Sequence, residues 1–215
     1  MKEYFPALLF QRTFFAALLI LYTVTVFAET KDIPTICQTD CKTPYGQVLG
    51  KDKSGVAGYS NCNSDCVIFE PNKHDGTYTG IKWQCVEYAR RWLLVNKGVV
   101  YGDVDYAIDI WDKIEHYRNV QWDEKVPVTN HVNGSETAPK SGDLLIYAKM
   151  MFGGTGHVAV ITEVDEKKGV VRVAEQNNLN QQWPSTHSRE ISLIKNGNQY
   201  WLLDGYLIGW KRADI

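Results

Sequence analysis

The chain has 215 residues, 44% of them hydrophobic and 22% charged, with a formal net charge of −2. That length supports one domain with a sizeable core, or one domain plus an appendage, and the composition is that of a soluble globular protein. Basic residues form no long run or stripe, which speaks against a nucleic-acid partner.

The N-terminus reads separately from the rest. Lys2 and Arg12 mark a mildly basic start, and Thr13 to Phe27 is an almost unbroken apolar run ending in Val26-Phe27-Ala28. Small or neutral residues before a cut suit a secretory peptidase, so residues 1–28 read as a signal peptide cleaved after Ala28. The alternative is an uncleaved anchor, for which the run is short against a span of ~20 residues. Export to the periplasm or the medium is therefore expected, with membrane association only if the segment stays uncut.

Residues 29–72 are loop-like, rich in Gly, Asn, Asp, Ser and Lys, and hold four of the five cysteines. Cys37, Cys41, Cys62 and Cys66 form two C-x-x-x-C pairs, which in an oxidising compartment read as disulfides with three possible connectivities. Zinc knuckles more often separate their cysteines by two residues, so no metal is expected. Within this segment, Tyr45 to Ser60 reads as extended pieces joined by turns. Cys85 is left over, and an odd cysteine in an exported chain is an intermolecular bridge or a reactive thiol.

A helix is expected from Trp83 to about Asn96, where Val86, Ala89 and Leu93 share a stripe and Gly98 supplies the stop. A second is expected over Val104–Tyr117, from Ala107, Ile110, Trp111 and Ile114. Gln121 to Ser141, with Pro127 and Pro139, reads as a surface connection that contains a formal glycosylation acceptor at Asn133. Five strands follow: Asp143–Lys149, His157–Val164, Gly169–Gln176, Arg189–Lys195 and Tyr206–Arg212. Helices first and strands afterwards give an α+β fold, with N-terminal helices packed on an antiparallel sheet.

The chemistry gathers at three positions. Cys85 stands in the first turn of its helix, where unpaired N–H groups and the helix dipole favour a thiolate; the plain alternative is a buried small residue. Among five histidines, His157 alone follows a glycine-rich approach, Gly153-Gly154-Thr155-Gly156, and opens an apolar strand. If the turn at Asp165–Lys168 closes a hairpin, facing residue numbers sum to about 332, which sets Glu175 opposite His157. A carboxylate beside an imidazole orients it for a cysteine nucleophile, and the same pair would serve as a structural ion pair. Gln176, Asn177 and Asn178 place amides nearby for substrate contacts. No cofactor is expected.

The run from Tyr78 to Trp92, centred on Trp83-Gln-Cys-Val-Glu87, closely resembles the active-site segment of CHAP-domain (NlpC/P60-like) cysteine amidases. It also resembles the amidase domains of glutathionylspermidine and trypanothione metabolism. Ser54–Ser60, Gly142–Ile146, Thr155–Ile161 and Val173–Asn177 resemble further blocks of that family in the same order, over roughly Tyr45 to Arg212. The resemblance implies a papain-like fold over residues 45–215, with Cys85 as nucleophile, His157 as base and Glu175 as orienter. Arg90 and Asn177 are similar to family positions near the substrate, and either the Gln84 side chain, just before the nucleophile, or the Cys85 backbone N–H would serve an oxyanion hole. Relatives are often fused to an ATP-dependent synthetase; no phosphate-binding segment is visible here, so hydrolysis alone is expected. Three functions compete: hydrolysis of a glutathione–polyamine conjugate, hydrolysis of peptidoglycan peptide or amide bonds, and a binding or effector module without turnover.

Overall fold

The computed structural model describes Met1 and residues 33–150 and 152–215, and the predicted signal segment beyond Met1 lies outside these. Residues 33–215 form one compact unit. Its strands are β1 (Val48–Lys51), β2 (Ala57–Tyr59), β3 (Pro71–His74), β4 (Thr77–Ile81), β5 (Val99–Tyr101), β6 (His116–Asn119) and β7 (Lys125–Val132). They continue with β8 (Leu144–Tyr147), β9 (His157–Asp165), β10 (Val170–Ala174), β11 (Arg189–Asn196), β12 (Gln199–Leu202) and β13 (Leu207–Ala213). Two α-helices accompany them, α1 (Cys85–Lys97) and α2 (Asp109–Lys113).

Nine strands make one antiparallel sheet in the order β12-β11-β10-β9-β8-β13-β7-β6-β5, while β1–β2 and β3–β4 are separate hairpins. The expectation of several helices on a sheet is corrected here: among the described residues the fold is mostly strand, with a single three-turn helix. The apolar spacing of 104–117 does bury Ala107 and Ile110. Helix stops at Lys113, however, because Ile114 is already extended and Tyr117 pairs with Tyr101 on one side and Val126 on the other. The supposed surface connection after Gln121 is also corrected. It contains β7, an eight-residue strand that pairs with both β6 and β13. Its polar outward residues and Pro127 obscure an alternation in which Val126 and Val128 face the core.

Side chains alternate across the sheet and make two cores. Leu144, Ile146, Val158, Val160 and Ala174 pack against Tyr88, Ala89, Trp92 and Leu93 of α1. Leu145, Tyr147, Ala159, Ile161, Val171, Val173 and Trp210 form the other cluster. That second face is enclosed because the sheet curls until β12 meets the residues after β7. Gly134 N–H donates to Tyr200 O (2.8 Å) and Tyr200 N–H to Ser135 O (2.9 Å). The Asn133 amide completes this closure, donating to Leu202 O (3.0 Å) and accepting from Leu202 N–H (2.8 Å). The side chain that reads as a glycosylation acceptor is thus spent on joining the sheet.

A third cluster forms around the cysteines. Cys37 is bonded to Cys66 and Cys41 to Cys62, which selects the nested connectivity. The β1–β2 hairpin is held to the sheet by Trp183, whose ring lies so near that a Cβ at Gly58 would fall 2.4 Å from it.

Asn133→Ala removes two bonds from the closure and takes the acceptor from Leu202 N–H, while Leu202 O keeps Asp204 N–H at 3.0 Å. An unpaired buried polar group costs ~1–3 kcal/mol, so thermal denaturation should fall by several degrees without loss of activity at ambient temperature.

Candidate active site

Cys85 is the first residue of α1, and Gln84 caps the helix in extended conformation with no side-chain bond across the cap. The opening N–H groups therefore have no helical partner and point toward the thiol. Val86 and Val158 N–H groups both donate to the sulfur, as does the His157 ring. Cys85 is the one described cysteine outside a disulfide. Burial pushes its thiol up, but the charge and hydrogen bond of His157 and the two backbone donors outweigh burial and hold it below the ordinary thiol range.

His157 opens β9 beside Tyr147, its partner across the ladder, with the two rings 5.6 Å apart. Gly156 leads into it with φ +72, and a Cβ there would lie 2.7 Å from Tyr147 O, so the approach requires glycine. The ring serves two neighbours at once. Nε2 meets Glu175 Oε2 at 2.7 Å, which leaves Nδ1 for Cys85. Burial disfavours the imidazolium, yet the Cys85 thiolate, its hydrogen bond and the Glu175 carboxylate raise His157 to about 9.

Glu175 reaches His157 by a different register from the expected one. Val173 faces Ile161 in the ladder, so Ala159 rather than His157 is the residue opposite Glu175 in continuation. The contact is diagonal. It depends on a bulge at Thr162, which lies between Glu163, opposite Arg172, and Ile161, opposite Val173. In step with Val170–Arg172, Glu175 would fall opposite Val160 and point to the α1 face. One extra residue in β9 returns it to the face of His157.

The Glu175 carboxylate is fully enclosed and accepts four hydrogen bonds. Asn178 Nδ2 (2.9 Å), Ser188 Oγ (3.1 Å) and Arg189 Nε (2.7 Å) converge on Oε1, and His157 takes Oε2. Burial raises its affinity for a proton, but the His157 bond and the Arg189 charge prevail and keep it ionised far below the usual carboxylate range.

A cleft of about 670 Å³ opens over Cys85 and His157. Val67, Phe69 and Pro71 with β4 make one wall, and residues 103–107 make the other. Gln84 and Asn177 also line it, and Asn177 Nδ2 donates to Gln84 Oε1 at 2.7 Å. Gln84 Nε2 donates in turn to Cys66 O at 3.2 Å, tying the cap of α1 to the disulfide cluster. Arg90 does not line the cleft. It is stacked between Tyr78 and Tyr101 and holds Gly102 O (2.7 Å) and Asp103 Oδ1 (3.1 Å), so it braces the cleft wall from behind. The expectation of three substrate amides at 176–178 is likewise corrected. Asn178 serves Glu175, and Gln176 is buried with Glu87, Arg91 and Tyr59 N–H.

Sequence reasoning missed Arg189, Asp204 and Tyr147 behind Glu175, and the buried Glu87–Arg91 pair behind the helix. Glu87 and Arg91 do carry a signal, being opposite charges four residues apart on one helix. The signal for Arg189 is weaker: a cation opening a strand whose first inward neighbours are apolar.

With this geometry in view, comparisons with known proteins are informative. Residues 75–177 match the family model described as the CHAP domain. The chain is 38% identical over 193 residues to the bifunctional glutathionylspermidine synthetase/amidase of Escherichia coli K12, covering 80% of this chain and 30% of that protein. It is 32% identical over 177 residues to trypanothione synthetase of Crithidia fasciculata, covering 82% of this chain and 27% of that protein. A glutathionylspermidine synthase of the same organism is 31% identical over 191 residues, covering 79% of this chain and 26% of that protein. The chain therefore spans less than a third of the length of these relatives.

Cys85 and His157 titrate as a pair, so a thiolate held by an imidazolium is present below the ordinary thiol range and persists until His157 loses its proton at about 9. Iodoacetamide should alkylate Cys85 rapidly near neutral pH, where a thiol of pKa ~8.5 is mostly protonated. His157→Ala leaves only the Val86 and Val158 N–H groups against burial, and the alkylation curve followed by mass spectrometry should move to higher pH.

Proposed function

We propose, from the match of residues 75–177 to the CHAP domain and from the geometry of the site, that this chain is a thiol-dependent amidohydrolase in which Cys85, His157 and Glu175 act as nucleophile, acid–base and orienter. The observation that carries the reading is the continuous chain from the Cys85 sulfur through both nitrogens of His157 to the enclosed Glu175 carboxylate. A buried carboxylate placed there fixes the ring and favours the imidazolium that a thiolate needs.

The thiolate attacks the amide carbonyl, and the oxyanion faces the Cys85 N–H and the Gln84 amide, one N–H of which is not needed for Cys66. His157 gives its proton to the departing nitrogen as the C–N bond breaks, leaving a thioester on Cys85. Neutral His157 then takes a proton from water as the water attacks that carbonyl. The C–S bond breaks, the carboxylic acid leaves, and the thiolate–imidazolium pair is restored.

For substrate we propose a glutathione–polyamine conjugate of the glutathionylspermidine kind. Two features support this over a peptidoglycan stem peptide. The relatives are named for such conjugates, and the cleft lining includes Asp103, Asp105, Tyr78 and Tyr106 but neither Lys nor Arg. Carboxylates and aromatic faces suit ammonium groups. We further propose that the domain runs from 45 to 215, stapled by the segment 29–72. The signal peptide at 1–28 and export of the chain complete the proposal, to which the two disulfides lend support because such bonds persist in oxidising compartments.

Purified protein should release the polyamine from glutathionylspermidine, and Cys85→Ala should abolish release, with both followed by mass spectrometry alongside defined peptidoglycan fragments. Cleavage of the fragments instead would replace the substrate assignment, and equal activity of Cys85→Ala would remove the mechanism.

A further inference from the structure

Behind the orienting carboxylate stands a group that the reaction scheme does not use. Arg189, the first residue of β11, is about a quarter exposed and makes a different ionic or hydrogen bond with each of its three nitrogens. Nε donates to Glu175 Oε1 (2.7 Å), Nη1 to Asp204 Oδ2 (2.6 Å) and Nη2 to the Tyr147 hydroxyl (2.9 Å). Tyr147 OH itself donates to the same Asp204 oxygen at 2.7 Å. The guanidinium is therefore fixed by Asp204, in the turn between β12 and β13, and by the last residue of β8. Tyr147 is the ladder partner of His157, so the clamp touches the imidazole strand as well.

We propose that Arg189 is a positioning residue for catalysis: held by Asp204 and Tyr147, it fixes Glu175 as a carboxylate with Oε2 turned to His157. The inference rests on the proposed roles of Cys85, His157 and Glu175. Glu175 is 3% exposed, and its strand packs that face against the apolar cluster of Ala159, Ile161, Val171 and Val173. A lone carboxylate there would take up a proton or turn to another partner. The charged and titratable groups around it are His157 from β9, Arg189 from β11, Tyr147 from β8, Asp204 from the β12–β13 turn, and Cys85 and Tyr88 from α1. Of these only His157 and Arg189 are cationic, and His157 changes charge during turnover. Arg189 is the cation that stays. Its planar fork also fixes direction, since Nε is committed to Oε1 and leaves Oε2 for the imidazole.

The test measures the pH dependence of Cys85 alkylation by iodoacetamide, together with kcat and KM on the conjugate that the protein cleaves. The variants are Arg189→Met, Arg189→Lys, Glu175→Gln and the Glu175→Gln/Arg189→Met pair. With Arg189→Met the alkylation midpoint should rise by roughly 1–2 pH units, because the imidazolium loses its charged acceptor and the thiolate its counter-ion. Its kcat should fall about tenfold to a hundredfold with KM within about twofold. Arg189→Lys should recover most of the midpoint. In the Glu175→Gln background Arg189→Met should add nothing, since no carboxylate remains to clamp. A folded Arg189→Met with the wild-type midpoint and kcat overturns the proposal, as does a lowered active fraction with an unmoved midpoint. Should Arg189→Met not fold, equal midpoints in Glu175→Gln and the double variant support the proposal, and a further rise in the double variant overturns it. If wild-type Cys85 itself titrates as an ordinary thiol, the reading of the site fails before Arg189 is judged.

Discussion

A carboxylate shut away from water is the constraint around which this site is organised. Taking an ion into a protein interior costs several kcal/mol unless partners replace its hydration. Glu175 meets that demand with four hydrogen bonds and two cations, and the donors come from three stretches of chain: β9, residue 178, and the adjoining residues 188 and 189 where β11 begins. For all four to arrive, β9, β10 and β11 must be in register, the bulge at Thr162 must be in place, and the chain must turn sharply after Ala174. The imidazole is then oriented as a consequence of satisfying the carboxylate, and with the Val86 and Val158 N–H groups it holds the Cys85 thiol below its ordinary range.

A second enclosed carboxylate does for the helix what Glu175 does for the strand. Glu87 of α1 is fully buried and accepts from Asn72, Thr79, Arg91 and Gln176. Arg91 and Gln176 each reach further, to Ala57 O and Tyr59 N–H of β2. Because Gln176 follows Glu175 directly, adjacent residues at one strand end fix the face that carries His157 and the helix that carries Cys85. These two buried networks and the hydrogen bond between the pair together hold Cys85 against His157. A buried network with every member satisfied is rigid, and rigidity is what a nucleophile–base pair requires.

Much of this was legible in the sequence, for identifiable reasons. The helix of Cys85 announces itself by its stripe and its terminal glycine, and the hairpin strands by runs of Val and Ile, so Cys85 and His157 are placed on their elements by local pattern alone. Glu175 was found by a register argument whose count was two residues out. It survived because an even slip preserves the face. The bulge that makes the slip even leaves no mark in the residues near Thr162. The second helix failed because Ala107, Ile110 and Ile114 serve equally well in a short turn leading into a strand, and pairing between Tyr101 and Tyr117 settles the matter from a distance. Strand β7 was hidden by Pro127 and by polar residues on its outer face. Arg189 and Asp204 were invisible for the same reason that they matter: they act through contacts between segments far apart in the chain, and no periodicity encodes these.

The most direct measurement of the central claim, that Cys85 attacks an amide through a charged pair, is to trap the enzyme in mid-turnover. Protein mixed with excess glutathionylspermidine, quenched in acid and digested, should show the peptide containing Cys85 heavier by the glutathionyl acyl group without the polyamine. Hydroxylamine should remove that mass, as it does for a thioester. Consumption of substrate with Cys85 left unmodified at every time of quench would contradict the account.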